Sequence, residues 1–251
     1  MSLPRPLHAL AAAVLVAAAA LGPAQPASAA PAEDLPSADQ LKSALLTAND
    51  LGADYTEIPT AESPTTESPT TESPGPGENP TPVTGCDALS ALIEMHATVP
   101  GPATPRAETE LDGPDGNPMV TQSLTAEDSD RLTADFSTAT DAFKTCHAIT
   151  FNADTTDSVT FTVTPVTLGD RGDAPAVRLD GTIAGVQLNA YIGIERFGTV
   201  GMAFGFFQRE GADSQAASAQ YRTAVAKVEH TLGATAGSTT PPTAAAQGMS
   251  V

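Results

Sequence analysis

The stretch from Val186 to Phe207 constrains the fold more than any other part of this 251-residue chain. Its first half alternates apolar and polar residues with a period of two, which is the pattern of a strand with one buried face. After a short turn at 196–198 the alternation resumes at Val200. Two such runs joined by a short turn predict an antiparallel β-hairpin that anchors a sheet. The pattern indicates a structural element and contains no catalytic motif.

The N-terminus has the pattern of a secretory signal peptide. Arg5 and His8 precede an apolar run from Ala9 to Leu21, and Ala27-Ser28-Ala29 supplies the small residues of a cleavage site. The apolar run is too short to span a membrane, although an uncleaved anchor is the alternative. We therefore expect residues 1–29 to be removed and the chain to be secreted.

The charge of the chain excludes two classes of partner. The sequence contains 30 Asp and Glu residues against 11 Lys and Arg residues, which gives a net charge of −19. Such a chain repels nucleic acid and anionic lipid, so we expect neither nucleic-acid binding nor stable membrane insertion. The low aromatic content limits the core to one domain of about 150 residues.

The two cysteines, Cys86 and Cys146, are candidates for a disulfide, which is the usual state of a cysteine pair in an exported chain. Cys86 lies in the first turn of a short predicted helix. Cys146 extends the apolar stripe of a longer helix that starts near Thr125, its predicted N-cap. A Cys86–Cys146 bridge would tie the start of one helix to the end of the other. A free thiol or a metal-binding pair is the alternative. The stripe consists of Leu132, Phe136, Ala139 and Phe143.

Composition and capping signals divide the chain into segments. Ser37-Ala38-Asp39-Gln40 has the form of a capping box, so we expect residues 30–60 to supply an N-terminal helix that belongs to the domain. Residues 61–83 repeat Glu-Ser-Pro and Thr-Thr, a composition typical of a disordered insertion. The main α+β domain is predicted at 84–232, and residues 233–251 are expected to be a disordered tail.

The order of the predicted elements indicates the fold class. Helices come first, a run of strands follows, and a helix after Asp213 closes the chain. This order predicts an α+β fold, in which an antiparallel sheet of about four to six strands has helices packed on one face and contains one disulfide. The strands predicted before the hairpin are Ala107–Leu111, Met119–Ser123, Val159–Thr164 and Ala176–Ile183.

The sequence contains no recognisable catalytic motif. It has no Gly-x-Ser-x-Gly elbow, and His96, His147 and His230 are isolated from one another. We therefore expect no enzyme activity, no cofactor and no metal site. A secreted hydrolase, whose acid pair would be assembled only in the fold, is the alternative.

Polar residues along one face of the predicted sheet are the candidate ligand-binding residues. If helices cover only the apolar face, the other face is open to solvent and could be a shallow ligand platform. An ordinary solvated face is the alternative. The residues are Arg178, Gln187, Asn189, Tyr191 and Glu195.

Several segments resemble a group of exported actinobacterial proteins. They are Leu45–Leu51 followed by Tyr55-Thr56, Gly85–Leu89, Phe143–Cys146 and the hairpin from Tyr191 to Phe207. The group is similar to the extracellular sensor domain of the mycobacterial receptor serine/threonine kinase PknH, and it includes lipoproteins and secreted stand-alone versions. The resemblance covers Leu41 to Leu232, apart from the repeat insertion.

This resemblance implies an α+β sensor-like fold with a cleft for an unidentified extracellular ligand, and no enzyme activity. One cysteine pair is present where the kinase's domain has two, and we expect neither a kinase domain nor a lipid anchor in this chain. The implied partner is an extracellular small molecule, a cell-wall component or an exported protein, bound by a monomer. An exported protein–protein interaction module is a further alternative.

Overall fold

The computed structural model describes residues 35–59, 83–88, 104–153, 157–170 and 174–233. The predicted signal peptide, nearly all of the repeat insertion, the helix expected around Leu89 to Ile93 and the predicted tail after Gly233 lie outside these residues. The boundaries predicted for those segments stay predictions.

Within the described residues the chain forms one antiparallel sheet of nine strands, in the order β1-β3-β4-β9-β8-β7-β6-β5-β2. The α+β class is confirmed, but the expectation of four to six strands is too low. Three strands account for the difference between nine and six. β1 and β2 are very short, and β5 has no long alternation of apolar and polar residues in the sequence. The elements are α1 (Ala38–Ser43), α2 (Ala48–Leu51), β1 (Thr56–Ile58), β2 (Val83–Thr84), β3 (Arg106–Asp112), a 3₁₀ turn (Pro114–Gly116), β4 (Met119–Ala126), α3 (Ser129–Thr145), β5 (Ala148–Ala153), β6 (Asp157–Pro165), β7 (Ala176–Ile183), β8 (Val186–Phe197), β9 (Val200–Arg209) and α4 (Ser214–Leu232).

Helices cover both faces of the sheet, which corrects the prediction of helices on one face. α1 and α4 pack on the face that carries Met202 and Phe204 of β9. α3 packs on the opposite face, where its Phe143 shares a second hydrophobic cluster with Ala203 and Phe207. Because β9 has large apolar side chains on both faces, covering only one face would leave the other exposed to water.

The central hairpin is confirmed. β8 and β9 pair from Leu188 with Arg209 to Phe197 with Val200. β8 is buried on both faces from Leu188 to Glu195, however, and not on one face as its alternation predicted. Gly193 makes this possible, because a Cβ atom there would lie 2.7 Å from Cε2 of Tyr221 in α4. The bare backbone at this position lets the tyrosine ring pack directly on the strand.

α3 begins and ends at well-defined contacts. Its N-cap is Asp128, whose Oδ1 accepts hydrogen bonds from the backbone N–H groups of Asp130 (3.0 Å) and Arg131 (3.3 Å). The prediction that Thr125 caps this helix is wrong, because Thr125 is paired with β9 as part of β4. At the other end Cys146 forms the predicted disulfide with Cys86, and their Cα atoms are 5.5 Å apart.

The N-terminal segment packs into the first hydrophobic cluster. The predicted capping box is present: Gln40 N donates to Ser37 Oγ (3.3 Å), and Ser37 N donates to Gln40 Oε1 (2.8 Å). After α1, the N–H of Leu46 donates to the buried side-chain oxygen of Gln122 in β4 at 2.6 Å. This contact fixes the α1–α2 connection to the sheet. The apolar residues of the segment in the cluster are Leu41, Ala44, Leu45 and Leu46.

Removal of the disulfide should lower the free energy of unfolding substantially. The bridge closes a loop of 60 residues, and loss of its constraint on the unfolded chain is worth about 4 kcal/mol. We expect a Cys86→Ser/Cys146→Ser double variant to have a free energy of unfolding lower by that amount, and therefore to unfold at a lower urea concentration. Equal unfolding midpoints for the variant and the oxidised parent would contradict a stabilising bridge.

Candidate functional site

The five residues predicted as a ligand platform lie on the α4 face of the sheet, but they do not form one open surface. Arg178, Asn189 and Tyr191 contact one another where β7 and β8 pair. Gln187 is exposed two residues before Asn189 on the same face of β8. Glu195 lies farther along β8, beneath α4. The role of these residues in ligand binding stays a prediction.

Arg178 organises the first group. Its Nε donates to Asp180 Oδ1 at 2.8 Å, and its Nη2 donates to Asn189 Oδ1 at 3.3 Å. The guanidinium carbon lies 5.9 Å from the ring centroid of Tyr191. We call Arg178, Asp180, Asn189 and Tyr191 the Arg178 cluster. The side chains of Arg178 and Asp180 are 35% and 31% exposed, so the charged edge of the cluster is accessible from solvent.

The inner half of the Arg178 cluster is buried and fixed. The side-chain amide of Asn189 donates to the backbone oxygen of Gly211, in the segment that leads into α4. The ring of Tyr191 packs edge-on against Phe206, with centroids 6.2 Å apart. The hydrogen bond to Asp180 raises the pKa of Arg178, so the guanidinium stays charged. The cluster therefore offers fixed donors and acceptors beside an aromatic ring.

The side chain of Glu195 is buried and accepts a hydrogen bond from another residue of the protein. It is 9% exposed, and the hydroxyl of Tyr221 in α4 lies 3.3 Å from its Oε2 and 3.3 Å from the backbone oxygen of Ile194. The open sheet face on which the platform prediction depended is thus covered by α4 at this point. Solvent reaches Gln187 and the exposed edge of the Arg178 cluster, which lie at one end of this sheet face.

A second unusual group lies on the opposite face, where β4 ends and α3 begins. Glu127 is 4% exposed, and neither carboxylate oxygen has a hydrogen-bond partner among the described residues. Its backbone N–H donates to the oxygen of Thr199 in the β8–β9 turn at 2.9 Å. The charged side chains that act on it are Arg131 and Asp135 of α3 and Arg106 of β3.

Burial raises the pKa of Glu127 to about 7. The positive charges of Arg131 and Arg106 oppose this rise, while the negative charge of Asp135 adds to it. A carboxyl that titrates near neutrality is often a catalytic acid or base. Here the side chain is closed off from solvent, so a substrate could not reach it in this conformation.

Two residues outside the predicted set have a signal in the sequence. Asp135 lies three residues after Leu132 and four before Ala139, so it falls on the buried stripe of α3. Asp180 lies two residues after Arg178, on the same face of β7. Nothing in the local sequence pattern around Glu127 indicates that its carboxylate is buried.

The described ranges contain neither a candidate metal site nor a candidate membrane span. In the described ranges, no three His, Cys, Asp or Glu side chains come close enough together to hold a metal ion. No helix in the same ranges is both long and apolar enough to cross a membrane.

Comparison with known proteins gives one structural match. No family model and no curated protein matches the chain. The fold is similar to that in the crystal structure of the extracellular domain of PknH from Mycobacterium tuberculosis, with a TM-score of 0.51 and 14% sequence identity. The match covers 79% of this chain and 98% of that domain. The expected similarity to this sensor domain is confirmed at the level of the fold.

Replacement of Glu127 by its neutral isostere should stabilise the protein at neutral pH. The pKa of Glu127 is about 7 when folded and 4.5 as an ordinary carboxyl. The unfolded state therefore loses its proton first, and stability falls as pH rises from 4.5 to 7. We expect Glu127→Gln to exceed the parent by on the order of 3 kcal/mol at pH 8, and by nothing at pH 4.5.

Urea unfolding at both pH values measures this difference, and Asp130→Asn, an exposed carboxylate in the first turn of α3, is the matched control. A difference between Glu127→Gln and the parent that does not change with pH would contradict the raised pKa.

Proposed function

We propose that this chain is an exported, non-catalytic, sensor-like domain that binds an extracellular small molecule or a cell-envelope component. The similarity of its fold to the extracellular domain of a receptor kinase is the observation that carries the proposal. The match spans 98% of that domain, so the likeness extends over a whole extracellular unit. The signal-peptide pattern of residues 1–29 and the Cys86–Cys146 bridge support export.

Under this proposal the ligand binds at the Arg178 cluster and Gln187. This end of the α4 face combines partial exposure with side chains held in place by buried neighbours. Arg178 and Gln187 supply donors and Asp180 supplies an acceptor. Tyr191 is buried, and its ring supports the Arg178 guanidinium from within the protein. Glu195 would act only indirectly, through its contact with α4.

The charge of the site favours a polar, uncharged ligand. Asp180 already neutralises Arg178, and the net charge of −19 repels polyanions at a distance. A sugar or a short peptide of the cell envelope could use the donors and acceptors together without displacing the ion pair. We therefore place neutral saccharides and peptides ahead of phosphates and nucleic acids as ligands.

The alternative of a secreted hydrolase has one observation in its favour, the raised pKa of Glu127. Burial of that carboxylate under α3 is a stronger observation against it, because general acid catalysis requires contact with the substrate. The alternative of a protein–protein interaction module would be favoured if small ligands fail to bind.

A thermal-shift screen of the mature chain, residues 30–251, tests the proposed function. The panel contains neutral cell-wall saccharides, short peptides, lipids, phosphates and divalent metals. A ligand at a hundred times its Kd stabilises the native state by about 2.7 kcal/mol, which raises Tm by several degrees in a domain of this size.

Two arginine variants locate the site. We expect Arg178→Ala to abolish the rise in Tm and Arg222→Ala to retain it. Arg222 lies in α4, is 46% exposed and pairs with Asp170 of the β6–β7 connection, away from the Arg178 cluster. No shift with any class would overturn the proposal of a small ligand. A full shift in Arg178→Ala would place the site elsewhere on the molecule.

A further inference from the structure

The connection between β9 and α4, residues 210–213, is fixed to β8 next to the Arg178 cluster. The backbone N–H of Glu210 donates to a backbone oxygen of β8 at 3.0 Å. One residue later, the backbone oxygen of Gly211 accepts a hydrogen bond from the side-chain amide of Asn189. All residues of the connection are exposed, so hydrogen bonds and not burial hold it in place.

The hydrogen bond to Gly211 determines which way the amide of Asn189 points. A carbonyl oxygen can only accept a hydrogen bond, so Nδ2 must face Gly211 and Oδ1 must face the other way. Oδ1 is the atom that accepts from Arg178 Nη2, at 3.3 Å. A guanidinium can only donate, so rotating the amide by half a turn would lose both hydrogen bonds. The connection therefore selects the amide orientation that Arg178 requires.

Asn189 supports Arg178 from inside the protein. Asn189 is 1% exposed, whereas the side chain of Arg178 is 35% exposed and can be reached by a ligand. Asp180 pairs with the same guanidinium, but a partly exposed ion pair fixes a long side chain only weakly. The buried contacts with Asn189 and with the ring of Tyr191 therefore hold the guanidinium against the sheet.

The backbone of the connection has a conformation that favours glycine. Gly211 has a φ of +139°, which residues with a side chain rarely adopt. A Cβ atom at this position would meet only the end of the Gln208 side chain, at 3.9 Å. The glycine is thus required for its backbone torsion and not for space. A side chain here would turn the peptide group and displace the oxygen that Asn189 binds.

We propose that Asn189 and Gly211 are positioning residues of the ligand site: the oxygen of Gly211 orients the Asn189 amide, and the amide holds the guanidinium of Arg178 in its binding position. This inference rests on the proposed function, because it concerns the ligand site proposed there. It adds a means of regulation, since a contact that moves the start of α4 displaces Arg178 and weakens ligand binding. By linkage, a ligand that fixes Arg178 stabilises the connection by the same free energy.

The side-chain NMR signals of Arg178 test the positioning without a ligand. The rate at which the guanidinium rotates about its Cζ–Nε bond reports how firmly the group is held. Asn189→Leu keeps a similar volume but removes both the donor and the acceptor, and Gly211→Ala strains the connection. We expect each variant to speed the rotation by roughly tenfold, since a hydrogen bond to a charged group is lost.

Gly52→Ala is the matched control, because Gly52 at the end of α2 also has a positive φ, +124°, and open space around a Cβ atom. We expect it to lose stability as Gly211→Ala does and to leave the Arg178 signals unchanged. Unchanged rotation in both Asn189→Leu and Gly211→Ala would overturn the proposal. An equal change in Gly52→Ala would also overturn it, because the effect would then reflect a general loss of stability.

A titration with a neutral cell-wall disaccharide separates this inference from the proposed function. We expect Asn189→Leu and Gly211→Ala to raise Kd by roughly tenfold, although neither residue contacts the ligand, and Gly52→Ala to bind as the parent does. If the parent binds and both variants bind equally tightly, the positioning inference fails and the proposed function stands. If the parent does not bind, the proposed saccharide ligand fails, and the NMR result alone decides whether Asn189 and Gly211 position Arg178.

Discussion

The structure depends on the burial of both faces of β9. Met202 and Phe204 point to one side of the sheet, and Ala203 and Phe207 point to the other. A strand of this kind is stable only between two layers. α1 and α4 provide one layer, and α3 provides the other. Glu195 of the predicted platform is covered for the same reason, since it lies on the face on which α4 packs.

α3 packs on the sheet through Leu132, Phe136, Ala139 and Phe143. It is fixed at Cys146 by the bridge to Cys86, and its N-terminal half rests over Glu127, a carboxylate that has no hydrogen-bond partner in the described residues. Buried groups of this kind destabilise a fold unless another requirement keeps them.

The sequence predicted the elements that have a local signature. The hairpin follows from alternation, the start of α1 from its capping box, and the disulfide from the placement of Cys86 and Cys146 at two helix ends. The second helical layer could have been inferred from Phe207 and Ala203, which alternate with Phe204 within one strand. The burial of Glu127 depends on how α3 crosses the sheet, a contact between elements that no local pattern encodes.

The proposed ligand site lies at the Arg178 end of the α4 face. The most direct test is an NMR titration of the isotopically labelled mature chain with a neutral cell-wall saccharide, following each backbone amide. We expect the chemical-shift changes to concentrate at Arg178 to Asp180 in β7 and at Gln187 to Tyr191 in β8, while the amides of α3 are unaffected. Saturable shifts confined to α3 and the residues around Glu127 would contradict it.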